Sequence, residues 1–239
     1  MPSPVVVLGA GGRTGAECVS TLEQQGKPVR AVVRDPAKYT QSLGNARQGV
    51  EVVAGDVGST DSLRQALKGC SDVIFAASGS GYFRSREVDC EGVKKVVEVC
   101  KEQGGKHVVL VSSCLVSPHN RWNPIRIMLN NSRWGLMDSK FEGEEALRRS
   151  GVPYTIVRPA GLTTAPAGQG KLVAKQGDKG AGRVSRADVA AVCVAALSDP
   201  AAKNVTFELL GSSDNDSPPP LAQQLASLFR GLKPDAPVA

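Results

Sequence analysis

Seven residues near the start of the chain, Gly9-Ala10-Gly11-Gly12-Arg13-Thr14-Gly15, join backbone freedom to a cation. Glycines at this spacing suit a diphosphate. Gly9 permits a tight turn, Gly12 lets the backbone come close to the anion, and Gly15 lets the next helix pack on the preceding strand. A helix starting here points free N–H groups and the positive end of its dipole at the anion. Arg34 is a second reader. It follows an apolar run, Val29–Val33, at the place where an acid would take the ribose 2′-OH of NAD and an arginine suits a 2′-phosphate. With Arg13 and Lys38 as further cations, the expectation is NADP(H).

Other candidates follow later strands. Asp56 suits either the adenine amino group, with Val57 against the ring, or a turn cap; the sequence leaves both open. Ser78-Gly79-Ser80-Gly81 is small enough for a diphosphate or ribose to pass close by. Ser112 and Ser113 sit where a strand end meets a cofactor cleft, suited to a substrate carbonyl or a nicotinamide ribose. The segment 114–133 reads as a long irregular loop on the substrate side, and its His119 is a candidate proton donor.

The elements that must hold these residues alternate strand and helix. Val5–Leu8 is a buried strand, and the helix after it runs through Leu22 to Gly26. Val50–Val57 is the third strand and its exit, Asp72–Ala77 the fourth and His107–Val111 the fifth. Val88, Val93, Val96, Val97 and Cys100 recur at helical spacing within a helix from about Glu87 to Glu102. A helix from about Trp134 to Arg149 carries Lys140, and Tyr154–Val157 is the next strand. Residues 163–184 suggest a small lobe with an edge strand at 171–174. Ser185 caps a helix from Arg186 to Leu197, and Asn204–Leu210 is a last strand. The expected division is a domain over 1–211, then a linker, a short helix Leu221–Leu232 and a loose tail over 212–239.

The chain has 239 residues and net charge +6, without a long basic run or aromatic–basic alternation, so nucleic acid is not the expected partner. Six cysteines, none in a C-x-x-C pair, read as buried thiols. No metal-ligand cluster and no membrane-spanning run is visible. The expected location is the cytoplasm, or the plastid stroma after loss of a transit peptide. A monomer acting on a small molecule is the default.

Several segments together carry a resemblance: the glycine loop, Val88-Asp89-Cys90-Glu91-Gly92, His107–Ser113, Gly151–Leu162 and Val184–Ala190. Over roughly residues 4–210 the chain resembles the atypical short-chain dehydrogenase/reductases. It is similar in particular to the NmrA-like and flavin/biliverdin-reductase-like NAD(P)-binding proteins, including plant and algal plastid members. The resemblance implies a Rossmann-type doubly wound parallel sheet, helices on both faces, and a small C-terminal substrate lobe, with NADP(H) across the carboxyl edge. It assigns Gly9, Gly11, Gly12, Arg13, Thr14 and Gly15 to the phosphates, Arg34 to the 2′-phosphate, and Asp56 and Val57 to adenine. It assigns Ala76, Ala77 and Ser78 to the ribose, Ser112 and Ser113 to the nicotinamide, Lys140 to its ribose, and Pro159, Ala160, Gly161 and Leu162 to the ring.

One departure concerns catalysis. The wider superfamily places a proton-exchanging Tyr four residues before the Lys, and here that position is Leu136. Leucine transfers no proton. The expectation is an NADPH-dependent reductase whose acceptor, a quinone, flavin or carbonyl compound, uses Ser113, Lys140 and His119 or water. The alternative is a non-catalytic NADP(H)-binding redox sensor or scaffold.

Overall fold

The structure is a computed structural model and describes residues 2–43, 48–79, 82–133, 135–180, 182–212 and 217–236. Ser80, Gly81, Trp134, Ala181 and part of the 212–220 linker, all named above, lie outside the described residues. The first half alternates β1 (Val5–Leu8), α1 (Arg13–Gln24), β2 (Val29–Val33), α2 (Pro36–Leu43), β3 (Val50–Ala54), α3 (Thr60–Leu67) and β4 (Val73–Phe75). Then come α4 (Tyr82–Ser85), a π-helical turn (Arg86–Gly92), α5 (Val93–Glu102) and β5 (Val108–Val111). A 3-10 turn at Pro118–Asn120 precedes α6 (Pro124–Ser132), α7 (Leu136–Arg148) and β6 (Tyr154–Pro159). The chain ends with β7 (Gly161–Thr163), β8 (Lys171–Lys175), β9 (Arg183–Ser185), α8 (Arg186–Ala196), a 3-10 turn at Pro200–Ala202, β10 (Val205–Ser212) and α9 (Leu221–Leu228).

All these strands form one sheet in the order β3-β2-β1-β4-β5-β6-β10-β9-β7, with β8 also paired to β10. From β3 to β10 every pairing on that path is parallel. Parallel strands are covered on both faces, so they read as unbroken apolar runs: Val5–Leu8, Val73–Phe75 and Val108–Val111 are buried throughout. The order reverses between β1 and β4. That is the topological switch point, where such sheets open a crevice at their carboxyl edge.

Two apolar layers flank the sheet. In α1, Gly15, Cys18, Val19 and Leu22 are buried at helical spacing, and they join the side chains of α8 on one face. On the other face α3 and α5 pack with Leu63, Leu67, Val93 and Val96. All six cysteines are buried free thiols, Cys18 and Cys193 in the first layer and Cys70 and Cys100 in the second.

Four expectations are corrected here. The segment 114–133 is not a structureless loop. It holds a 3-10 turn and α6, which opens with Asn123 Oδ1 accepting from the Ile125 N–H and with Pro124 at its start. Residues 163–184 do not stand apart as a lobe. β8 and β9 pair antiparallel with β10 and extend the central sheet. The C-terminal helix ends at Leu228, earlier than Leu232, and belongs to the core: Phe229 is buried with its ring edge-on to Phe207 at 5.8 Å. The tail after it is tied down at Asp235, which accepts from Tyr154 Oη at 2.9 Å and the Thr206 N–H at 3.1 Å and faces Arg148 Nε at 3.3 Å.

Replacing Asp235→Ala removes these charge-assisted bonds. The expected cost is about 1.5–3 kcal/mol, a fall in melting temperature of roughly 3–12 °C for a domain of this size. A thermal melt unchanged from wild type would show that the tail contributes nothing.

Candidate functional site

The carboxyl edge of β1 turns sharply at Gly9, whose φ is +82°, a left-handed conformation natural only to glycine. A Cβ on Gly9 would lie 2.6 Å from the Ala77 N and Cα atoms, and one on Gly15 would collide with the Gly9 carbonyl oxygen. These two contacts press α1 onto β1 and bring the loop after β4 against the glycine turn. α1 begins at Gly12 with no side-chain cap and no acidic residue in its first turn. Its leading N–H groups and dipole therefore face the switch-point crevice with no acid of the helix's own first turn to neutralise them. Gly11, Gly12 and Arg13 are exposed there and Thr14 is half-buried.

Arg34 is exposed at the end of β2, and Asp35 beside it caps α2 by accepting from the Lys38 N–H. Neither Arg13 nor Arg34 makes an ion pair among the described residues. Arg186, which the sequence reading left without a role, opens α8 and donates to the Thr163 carbonyl at 2.9 Å. Partial burial and the nearby Arg13 charge lower its pKa. Its clue in the sequence was its place directly after the helix cap Ser185.

Asp56 is exposed, and its Oδ1 accepts from the Gly58 N–H at 2.8 Å, so the turn-capping alternative is the one this geometry displays. The Val57 side chain is buried in the second apolar layer. Ala76 and Ala77 are half-buried at the end of β4, and Ser78 is exposed beside them. Ser112 is buried at the end of β5, and its Oγ has no hydrogen-bond partner among the described residues. Ser113 Oγ donates to the Cys114 carbonyl at 3.1 Å. Pro159 and Ala160 are buried, whereas Gly161 and Leu162 are exposed on β7.

Lys140 does not present an unpaired ammonium. It is buried and joined to Asp89 at 2.8 Å, so it reaches a ribose only as one half of an ion pair. Phe75, Asp89, Leu110, Val111, Ser112 and Lys140 together line a small, tight recess. His119 is exposed on its 3-10 turn, with Nε2 3.3 Å from Asn120 Nδ2.

Sequence reading also missed what fixes the start of the 114–133 segment. Asp178 is fully buried and accepts from the Leu115 N–H at 2.6 Å and the Ser117 N–H at 2.7 Å. Burial opposes its charge, but Arg158 and those N–H groups outweigh burial and hold its pKa below the usual carboxylate value. Arg158 is itself clamped by Glu144 at 3.0 and 2.6 Å and lies 3.7 Å from Glu208. Glu208 is buried, and burial pushes its pKa up to about 7 despite Arg158. No spacing announces this network, because its members come from α7, β6, β10 and the turn after β8.

The rim above these residues is apolar. Trp122 is 77 % exposed, Ile125 50 % and Met128 59 %, and with Ile127 and Leu162 they are the exposed large hydrophobic residues of the described chain. Arg121 lies over the Trp122 ring at 5.7 Å.

A doubly wound sheet with an uncapped glycine loop at its switch point defines a dinucleotide-binding protein. Residues 9–200 match the family described as NAD(P)H-binding, and the chain belongs to that family. It is 32 % identical over 94 % of its length, and 99 % of the other chain, to a Bacillus subtilis (strain 168) protein named as an uncharacterized sugar epimerase, YhfK. It is 29 % identical to sanguinarine reductase of Eschscholzia californica, over 86 % of this chain and 88 % of that one. Among solved structures, ChuY, an anaerobillin reductase from Escherichia coli O157:H7, superposes with a TM-score of 0.73 at 25 % identity, covering 90 % of this chain and all of the other. No helix among the described residues is long and apolar enough to cross a membrane.

Glu208 has a testable signature. Its pKa is raised in the folded state, so the folded protein holds this proton more tightly than the unfolded chain. Its contribution to stability is greatest below the unfolded value and is lost as pH rises through about 7. Glu208→Gln removes that dependence. Relative to wild type, the variant gains stability between pH 5 and pH 8, by on the order of 3 kcal/mol. Urea titrations at both pH values measure this; a constant difference between the two proteins contradicts the assignment.

Proposed function

We infer that the chain is an NADPH-dependent reductase that delivers hydride to an unsaturated small acceptor of the quinone, flavin or carbonyl class. The observation that carries this reading is the convergence of the uncapped α1 terminus, Arg13 and Arg34 on one crevice, with neither arginine in an ion pair among the described residues. NADPH would supply the hydride. The N–H groups around Gly11, Gly12, Arg13, Thr14 and Gly15 would hold the diphosphate, and Arg34, with Arg13, the 2′-phosphate. Asp56 retains an oxygen for adenine.

On the reacting side, Ser112 Oγ is a buried hydroxyl in want of a partner and would bind a ribose or acceptor oxygen. Ser113 would orient the acceptor, and Ala160, Gly161 and Leu162 would border the nicotinamide. Trp122 and Leu162 give an apolar acceptor a surface that excludes water. Leu136 limits the chemistry. Epimerisation of a sugar needs a base to draw a proton from a hydroxyl, and the position that would carry it holds leucine. A reduced quinone or flavin takes its proton from water or from His119 without a buried tyrosine. The names of sanguinarine reductase and the anaerobillin reductase support the same class.

A second reading has an observation in its favour. With Leu136 buried, His119 exposed and Lys140 paired, no unpaired acid stands beside Ser112 among the described residues. This suits a protein that binds NADP(H) and reports its redox state to partners.

The test is NADPH oxidation by the purified protein, followed optically against quinones, flavins and small carbonyl compounds. Turnover with one of these classes is expected. Tight NADPH binding with no turnover on any of them favours the sensor reading. Arg34→Ala should weaken NADPH binding by roughly ten- to a hundredfold, one charge-assisted hydrogen bond of about 1.5–3 kcal/mol, and leave NADH within about twofold. Equal losses for the two cofactors would remove Arg34 from the 2′-phosphate.

A further inference from the structure

The helix leading into α5 does not continue as a regular α-helix. Its Arg86–Gly92 turn is π-helical, a widened turn that re-aims side chains and is frequent at functional sites. The turn carries Asp89 to α7. Contact there is close: a Cβ on Gly143 would collide with the Asp89 carbonyl oxygen. Gly143 lies three residues after Lys140, on the same side of α7. The approach therefore sets the Asp89 carboxylate against the Lys140 ammonium, Oδ1 to Nζ at 2.8 Å, with both groups buried. Asp89 Oδ2 accepts from the Gly79 N–H at 2.8 Å and from Ser78 Oγ at 3.3 Å. One carboxylate thus ties α7 to the loop after β4, which faces the glycine turn.

The pair also bears on Leu136. A lysine one turn from a tyrosine lowers the tyrosine pKa only while its charge is uncompensated. Here the charge is met by Asp89 at contact distance, and the tyrosine position holds leucine. Lys140 retains its other N–H groups as fixed donors; one lies 3.5 Å from the Val111 carbonyl, beside the partnerless Ser112 hydroxyl in the same recess.

We propose that Asp89 is a positioning residue: it holds Lys140 and the Ser78–Gly79 loop as one unit around the nicotinamide-side ribose, with Lys140 acting as an oriented hydrogen-bond donor. This rests on the NADPH reading above. It assigns a role to the π-turn, to Gly143 and to the ion pair, none of which that reading requires. Asp89 touches the cofactor only through Lys140 and the loop, so its removal should be felt on the nicotinamide half and not on the adenosine half.

The experiment compares wild type, Asp89→Asn, Lys140→Met and the double variant, titrated with NADPH and with adenosine 2′,5′-bisphosphate, which carries only the adenosine half. Each single variant should weaken NADPH binding at least tenfold and leave the bisphosphate within twofold. The double variant should lose no more than the worse single, because two residues acting as a unit are not additive. Lys140→Arg, which keeps the charge and a donor, should recover part of the NADPH affinity. If Asp89→Asn does not fold, Lys140→Met and Lys140→Arg carry the same comparison. Equal losses for both ligands, additive losses, or unchanged NADPH affinity in the single variants each overturn the proposal. Failure of wild type to bind NADPH would instead overturn the cofactor reading itself.

Discussion

The site depends on one steric contact, the seating of α1 on the end of β1. Gly15 lies against the Gly9 carbonyl, and Gly9 lies against Ala77. A side chain at either glycine would push α1 off the sheet or part β1 from the loop after β4. Because that contact is made, the first turn of α1 points into the crevice where strand order reverses, and α8 packs along α1 with Val189, Val192 and Cys193 in the shared layer. The two helices bring Arg13 and Arg186 to the same edge of the sheet. The anion-attracting character of this edge is thus a consequence of packing as much as of composition.

Charge is handled differently on the two sides of the crevice. On the side proposed for the phosphates, Arg13 and Arg34 are exposed and make no ion pair among the described residues, so a bound anion would add interactions without breaking any. On the reacting side, charges are buried and matched. Lys140 meets Asp89, and Arg158 meets Glu144 with Asp178 and Glu208 near its other nitrogen. Buried pairs of this kind add little net stability, but removing one partner strands the other at a cost of about 3–5 kcal/mol. They serve as geometric pins: Asp178 pins the backbone at Leu115 and Ser117, a few residues before the exposed Trp122 and Met128.

Much of this was legible in the sequence, for physical reasons. Val5–Leu8 and the residues after it declare themselves because a buried parallel strand must be continuously apolar and a tight βα turn must be glycine. The same logic exposed β2, β4, β5, β6 and α8. What stayed hidden depends on contacts between distant segments. The π-turn at Arg86–Gly92 leaves the helical pattern of Val93, Val96 and Cys100 intact, so Asp89 looked like one more polar residue on a helix. α2 and α6 were missed because Pro36 and Pro124, which open them, read equally well as loop residues. Asp235 looked like part of a loose tail because its partners, Tyr154, Thr206 and Arg148, are far away in sequence. Lys140 was singled out through the family resemblance, and nothing in the sequence signalled its pairing with Asp89.

The central claim is that hydride leaves NADPH in this crevice. Isotope transfer tests it most directly. The protein is supplied with NADPH carrying deuterium at both C4 positions of the nicotinamide, together with a quinone such as menadione or a free flavin, and with a carbonyl compound in parallel. The oxidised cofactor and the reduced acceptor are then analysed by mass spectrometry and nuclear magnetic resonance. The account predicts enzyme-dependent loss of one deuterium from C4, with label retained in the product when the acceptor carbon does not exchange. Bound NADPH that keeps both deuteriums with every acceptor would contradict it.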